Sequence, residues 1–191
     1  MNTNLRKSQD RSTIKGEMSF AVKDSLGRIK KLWQENILGR FFRKWLGLDL
    51  QGIFLLGRWT DKLAFHNLVV NAGLAGTASR CNGAGAEAAF TYLAVGTGTT
   101  APAAGNTALE TEIIDSGLAR AAATCTRVTT TVTNDTAQLD KTWSVTGSKA
   151  VTEAGALNAA STGTLLGRQT FSAVNVANGD TLQVIYKFQF S

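Results

Sequence analysis

The C-terminal run constrains the fold most. Leu182, Val184, Tyr186, Phe188 and Phe190 fall on one side of an extended chain, and Gln183, Lys187 and Gln189 on the other, with Ile185 the exception. A period of two belongs to a strand with one face on a core and the other toward water. A single strand cannot bury its apolar face alone, so the chain must supply others. Met18, Phe20 and Val22 alternate with Ser19, Ala21 and Lys23, and Asp24-Ser25-Leu26-Gly27 offers a turn after which Ile29 onward is expected to pair back as a hairpin. Phe90, Tyr92 and Leu93 lead into a Gly/Thr loop at Gly96. Residues 126–133 are β-branched except Arg127, and Asn134-Asp135 turns the chain into residues 139–145. Residues 168–176 precede Asn178-Gly179, a strong hairpin signal. Nineteen glycines and a single proline in 191 residues suit many turns between strands. The expected fold is therefore mainly β: an antiparallel β-sandwich or jelly-roll-like domain, with an N-terminal arm and one short helix. The helix is expected over residues 67–80, with Asn67 as its N-cap and Gly73 and Gly76 permitting close backbone approach.

Charge divides the chain. Residues 1–62 carry thirteen Lys/Arg against six Asp/Glu, whereas residues 63–191 carry seven against eight. This gives two expected units: a basic N-terminal arm and attachment segment over 1–62, and the β domain with its leading helix over 63–191. Residues 1–15 are polar and read as extended, without the apolar centre of a signal peptide. No apolar stretch approaches the ~20 residues that span a bilayer, so membrane insertion is not expected. Residues 29–46 mix Lys and Arg with Trp, Phe and Leu, as a membrane-lying helix would. Placed at ~100° per residue, Ile29, Leu32, Trp33 and Ile37 share one side and Phe41, Phe42 and Trp45 the other. Two short elements broken near Gly39 are expected instead, packing on a neighbouring protein or subunit. Phe41, Phe42, Trp45, Phe54 and Trp59 are the candidate docking and assembly residues, because such side chains are costly to leave exposed.

The residues for catalysis are scattered. His66 is the single histidine, Cys81 and Cys125 lack metal-ligand spacing, and no G-x-S-x-G elbow occurs. The cysteines read as reduced and partly buried. Gly96-Thr97-Gly98-Thr99-Thr100-Ala101 has alanine where a dinucleotide loop has its third glycine, and no Gly-Lys-Ser/Thr follows, so it reads as a structural turn. Glu110, Glu112, Asp115, Asp135, Asp140 and Glu153 supply carboxylates without a recognisable catalytic pairing. No catalytic, cofactor or metal site is expected, and no nucleic-acid module is recognisable.

A train of motifs adds to this reading. Asn67-Leu68-Val69-Val70-Asn71-Ala72-Gly73-Leu74 is followed by Tyr92-Leu93-Ala94-Val95-Gly96-Thr97-Gly98-Thr99-Thr100-Ala101-Pro102 and by Asn106-Thr107-Ala108-Leu109-Glu110-Thr111-Glu112-Ile113, with Arg120 shortly after. Val151-Thr152-Glu153-Ala154-Gly155-Ala156-Leu157-Asn158 and Gly163-Thr164-Leu165-Leu166-Gly167-Arg168-Gln169-Thr170-Phe171 complete it. Over residues 65–190 this order resembles small tailed-phage and prophage virion proteins of tail-fibre, tail-associated or head-fibre/decoration type. The resemblance implies a β-rich fold, symmetric self-association (often threefold), attachment to other virion proteins and location in the particle. It implies no catalytic site. A tail-side or fibre role is the first expectation, a capsid decoration or head-fibre role the second, and a host-surface carbohydrate-binding module the third. Removal of residues 1–62 is expected to abolish incorporation while leaving a soluble β domain.

Overall fold

A computed structural model describes residues 13–46 and 51–191, with the side chains of Arg43, Lys44 and Phe54 outside the description. Among these residues eleven strands and two helices follow one another. They are β1 (Ile14–Lys23), β2 (Leu32–Glu35), α1 (Ile37–Leu46), a single 3-10 turn (Phe54–Leu56), β3 (Gly57–Thr60), β4 (Leu63–Val69) and α2 (Asn71–Asn82). There follow β5 (Tyr92–Gly96), β6 (Ala121–Ala122), β7 (Thr124–Val128), β8 (Thr136–Ser144), β9 (Lys149–Leu157), β10 (Leu165–Val176) and β11 (Thr181–Phe190).

The alternation in β11 is realised as expected. Leu182, Val184, Tyr186 and Phe188 are buried, while the residues between them are half-exposed. They face Val22, Phe20, Met18 and Gly16 of β1 in antiparallel register, and Trp143, Lys141, Leu139 and Ala137 of β8 on the other side. Phe190 departs from the expectation: it lies at the strand end and is exposed.

Nine strands form one antiparallel sheet in the order β6-β5-β9-β10-β4-β1-β11-β8-β7. Its two ends are consecutive in sequence, because Ala123 alone separates β6 on β5 from β7 on β8. The sheet therefore nearly closes on itself. The 121–128 segment is one corner and β4 the other: Leu63 to Asn67 pair with β1, and Leu68 and Val69 with β10. Closure removes the long open edges that would otherwise template aggregation. The pairings are nested, β1 with β11, β4 with β10, β5 with β9 and the 121–128 corner with β8, which gives the sandwich a jelly-roll-like character. Between the faces lie Met18, Phe20, Leu63, Leu93, Val95, Leu139, Trp143, Phe171, Val184, Tyr186 and Phe188. Each large apolar side chain buried there contributes about 1.5–3 kcal/mol. A second cluster of Val70, Ala94, Leu109, Leu157 and Leu165 lies with Ala72 and Tyr92 packed against it.

Several local expectations change once partners are known. The turn at Gly27 forms, with φ +78°, but Ile29 meets Lys23 through an isolated bridge only. β11 takes one edge of β1 along its length and β4 takes the other from Gly16 to Phe20, so the returning chain bonds only at the Val22–Lys23 end, where the Lys30 N–H donates to the Val22 carbonyl at 2.8 Å. Asn178-Gly179 also forms its turn, closed by the Asp180 carboxylate on the Ala177 N–H at 2.8 Å, yet β10 and β11 are not neighbours. The turn carries the chain between different parts of the sheet. Asn67 is in β4, and α2 begins at Asn71 after a buried Val70 with no side-chain cap. Burial of Val70 in the second cluster sets that start. Gly73 and Gly76 do permit close approach, to the Leu166 backbone and the Phe90 ring. The β-branched run at 126–133 is strand only to Val128, because the Asp135 carboxylate gathers the N–H groups of Thr130, Thr131 and Val132 into a loop. Cys81 and Cys125 are free, as expected, but exposed where partial burial was expected.

The expected 1–62 arm is divided. Residues 1–12 lie outside the described residues, and β1 is an integral strand whose Met18, Phe20 and Val22 are in the core. Deleting residues 1–62 would remove a strand bonded on both sides, so a soluble β domain is not expected to survive. The described residues that leave the sandwich are 32–46 and 51–60.

Candidate assembly surface and the locked glycine loop

The motif residues converge under the loop that follows β5. Glu153 of β9 is 0% exposed and Arg168 of β10 2% exposed, with Arg168 Nε donating to Glu153 Oε2 at 2.7 Å. Glu153 also accepts the N–H groups of Gly98 (3.0 Å), Thr111 (2.7 Å) and Glu110 (3.0 Å). The Arg168 guanidinium continues to the Thr100 carbonyl (3.2 Å), Asn106 Oδ1 (3.3 Å) and Glu110 Oε2 (3.2 Å). Glu110 accepts the Thr100 hydroxyl and N–H, both at 2.8 Å, and these bonds, the hydroxyl first, hold its carboxyl below the ordinary range. A Cβ on Gly96 or on Gly98 would come within 2.5 Å of Glu153 Oε1. The glycines are thus required by a buried carboxylate beneath them, and the threonine-rich loop is tied to the sheet. Burial lifts the Tyr186 phenol far above its ordinary pKa, and its hydroxyl donates to the Ala154 carbonyl at 2.8 Å.

The remaining acidic residues also hold structure. Glu112 forms a two-point pair with Arg120 (2.9 and 2.5 Å), which anchors the 159–162 carbonyls. Asp115 pairs with Lys149 at 2.8 Å, and Asp140 accepts from Gln183 at 3.0 Å. His66 is exposed on β4 opposite Glu17. Among the described residues no group of His, Cys, Asp and Glu is placed to hold a metal ion.

The candidate docking residues lie mostly on the 32–60 module. β2 and β3 form a two-stranded ribbon with Trp33 opposite Trp59, ring centroids 5.4 Å apart and nearly edge-on. Leu32 and Leu56 are buried, and Leu32 joins the main core, which seats the ribbon on the body. Asn36 ends β2 and starts α1: its Oδ1 accepts the Gly39 N–H at 2.9 Å, and its amide donates to the Leu55 carbonyl at 2.7 Å. The break expected at Gly39 therefore falls at Asn36. Gly39 stays inside the helix because it lies against the Leu56 backbone, where no Cβ fits. With residues 29–36 excluded, α1 alone is amphipathic: Ile37, Leu38, Phe41, Phe42, Trp45 and Leu46 cover one half of its circumference at ~100° per residue.

Eight of the fifteen exposed large hydrophobic side chains among the described residues lie between Ile37 and Trp59, which concentrates exposed apolar surface on α1 and the segment that follows it. They include Ile37 (81%), Trp45 (71%), Leu55 (72%) and Trp59 (55%). Phe41 is exposed and in ring contact with both Phe42 and Trp45, while Phe42 is half-buried. The structure thus brings Phe41, Phe42 and Trp45 together on α1 and sets Trp59 on the ribbon; the Phe54 side chain lies outside the description. The Glu153–Arg168 lock was not foreseen. Its signal is a charged residue inside each of two apolar strand runs, Val151 to Leu157 and Leu165 to Phe171.

No family model, no curated protein and no solved structure matches the chain. No helix among the described residues is long and apolar enough to cross a membrane.

Proposed function

We propose that this chain is a structural component of a tailed-bacteriophage particle, of tail-side or fibre type, which self-associates and docks on other virion proteins through its N-terminal region. The carrying observation is the apolar patch on the 32–60 module, presented by a body whose buried charges are committed to holding its own loops. A patch of this kind is costly in water and gains free energy when covered. The motif train over residues 65–190 supplies the phage context. Its residues Gly96, Gly98, Asn106, Glu110, Glu153 and Arg168 meet in one structural cluster, in keeping with an assembly protein and not with a substrate site.

The test is direct. Purified particles should contain the chain, and Phe41→Ser with Trp45→Ser should remove it from them while the isolated protein keeps its thermal unfolding curve. Particles that incorporate the double variant normally would refute the docking role. Copy number separates the tail reading from capsid decoration: on the order of tens or fewer per particle indicates the tail, hundreds the shell. Carbohydrate binding by the β domain itself is less favoured, because its Trp143 and Tyr186 are buried in the core and cannot stack on a sugar.

A further inference from the structure

We infer that a cavity beneath α2 binds a single-chain amphiphile with an anionic head, its apolar chain inside and its head at Arg80 and Arg127. The start of β8, the end of β11, the start of β10 and Phe90 just before β5 meet at one end of the sandwich, and α2 lies against them. Between helix and strands is a cavity of about 340 Å³. Small-ligand sites of ~300–1,000 Å³ favour such barrel mouths. Leu139, Leu166 and Phe188 belong to the main core and line the cavity together with Phe90. The helix leaves this space because its inward residues are small. Gly73 lies on the Leu166 backbone, Gly76 on the Phe90 ring, and Thr77 turns its hydroxyl back to the Gly73 carbonyl at 2.9 Å. Core side chains that face an unfilled space lack dispersion contacts, which an apolar chain restores.

The mouth selects the head group. Arg80 lines the cavity from the last turn of α2. Arg127 of β7 is directly opposite the cavity-lining Ala137 of β8, so its side chain leaves the same face of the sheet. No acidic residue is among the described residues that line the cavity. Two carboxylates come from the flanking segments, and both are committed elsewhere. Glu87 gives Arg80 its carbonyl at 3.0 Å, while its carboxylate accepts from the Asn158 amide. Asp135 gathers the N–H groups of its own loop. Arg127 has no hydrogen-bond or ion-pair partner among the described residues. Guanidinium groups beside an apolar cavity suit a carboxylate or phosphate head, to which they donate in a fork. A cationic head would be repelled, and a neutral one gains the apolar contribution alone.

The experiment uses the full chain in solution and is independent of its place in a particle. Decanoate, decyl phosphate, decanol and decyltrimethylammonium are titrated calorimetrically below their micelle concentrations. In parallel, alkylation of Cys81, which lines the cavity, is followed by mass spectrometry with and without each ligand. An anionic ligand should saturate one site at least ~10-fold more tightly than decanol, the worth of one charged hydrogen bond, and should slow Cys81 alkylation. The ranking of decanoate against decyl phosphate tells a carboxylate head from a phosphate. Arg80→Glu/Arg127→Glu should remove that preference and leave decanol binding unchanged, and Thr77→Phe should fill the cavity and weaken every ligand, with circular dichroism confirming the fold. Absence of saturable anion binding overturns the inference, as does equal or tighter binding of decanol or the cation, or unaltered Cys81 alkylation at saturation. Anion affinity unchanged by the charge reversal overturns it too. Should either variant unfold, the ligand series and the alkylation rates of the wild-type chain still decide.

Discussion

Replacing Glu153 by glutamine tests whether the glycine loop is held from beneath. Each carboxylate oxygen faces two donors: Oε1 takes the Gly98 and Thr111 N–H groups, and Oε2 takes the Glu110 N–H and Arg168 Nε. A carboxamide must put its NH2 on one of those sides. Whichever way it flips, two donors are turned against a third. The Arg168 guanidinium, 2% exposed, is left with a Glu110 carboxylate at 3.2 Å that is itself partly in water. Removing one partner of a buried pair costs about 3–5 kcal/mol, and Glu153→Gln should lose that much stability. Arg168→Met should lose less, about 1–3 kcal/mol, because Glu153 keeps three backbone N–H bonds that satisfy its charge. Urea unfolding at neutral pH measures both, provided the m-value is unchanged. Amide hydrogen exchange should speed up at Gly98, Glu110 and Thr111 in Glu153→Gln. If Arg168→Met is the more destabilising of the two, or Glu153→Gln costs less than about 1 kcal/mol, the reasoning fails.

Gly98→Ala forces a Cβ to within 2.5 Å of Glu153 Oε1 and should cost about 1–3 kcal/mol in the same urea assay, with no cost disproving the close approach. Asn67 has both amide atoms buried without a hydrogen-bond partner, so Asn67→Leu should be neutral or stabilising by up to about 1 kcal/mol. A clear loss in melting temperature would reveal a partner for the amide. The Asp135 carboxyl is held well below its ordinary pKa by the N–H of Val132 first, then by Thr130, Thr131 and the Thr136 hydroxyl. A depressed carboxylate stabilises the fold above its unfolded value of 3.8 and loses that contribution as pH falls through the folded value. Asp135→Asn should therefore flatten the fall in urea midpoint between about pH 5 and pH 2, and an unaltered acid limb would contradict the assignment. Burial of the Tyr186 phenol predicts that Tyr92→Phe protein shows no phenolate absorbance until alkaline unfolding, since the stability carried by the neutral phenol persists below about pH 10 and declines above it.

The strands were legible where a local pattern carried them. In β11 the alternation of Leu182 to Phe188 is a property of neighbours in sequence, and it holds because backbone geometry alone puts every second side chain on one face. The turns at Gly27 and Gly179 were readable for the same reason, since each glycine takes a positive φ that its neighbours need not share. What those turns join was not readable. Asn178-Gly179 signals a reversal but not whether β10 and β11 bond to each other, and the partners of β1 decided that Ile29 could not complete a hairpin. The docking candidates on α1 were found from composition. Their shared exposed ridge required knowing that the helix starts at Asn36, which depends on bonds to Leu55 and Leu56.

By itself, the sequence determined a mainly β chain, its strongest strand, an aromatic-rich N-terminal segment and a glycine loop without phosphate-binding features. Only the tertiary structure decided that β1 belongs to the body and that the sheet nearly closes through Ala123. It also decided that Gly96 and Gly98 are glycines because Glu153 lies beneath them. Periodicity is set by adjacent residues and survives in one dimension. Strand partners, buried ion pairs and the space left for a Cβ depend on residues tens of positions apart, whose meeting is fixed only when the whole core packs.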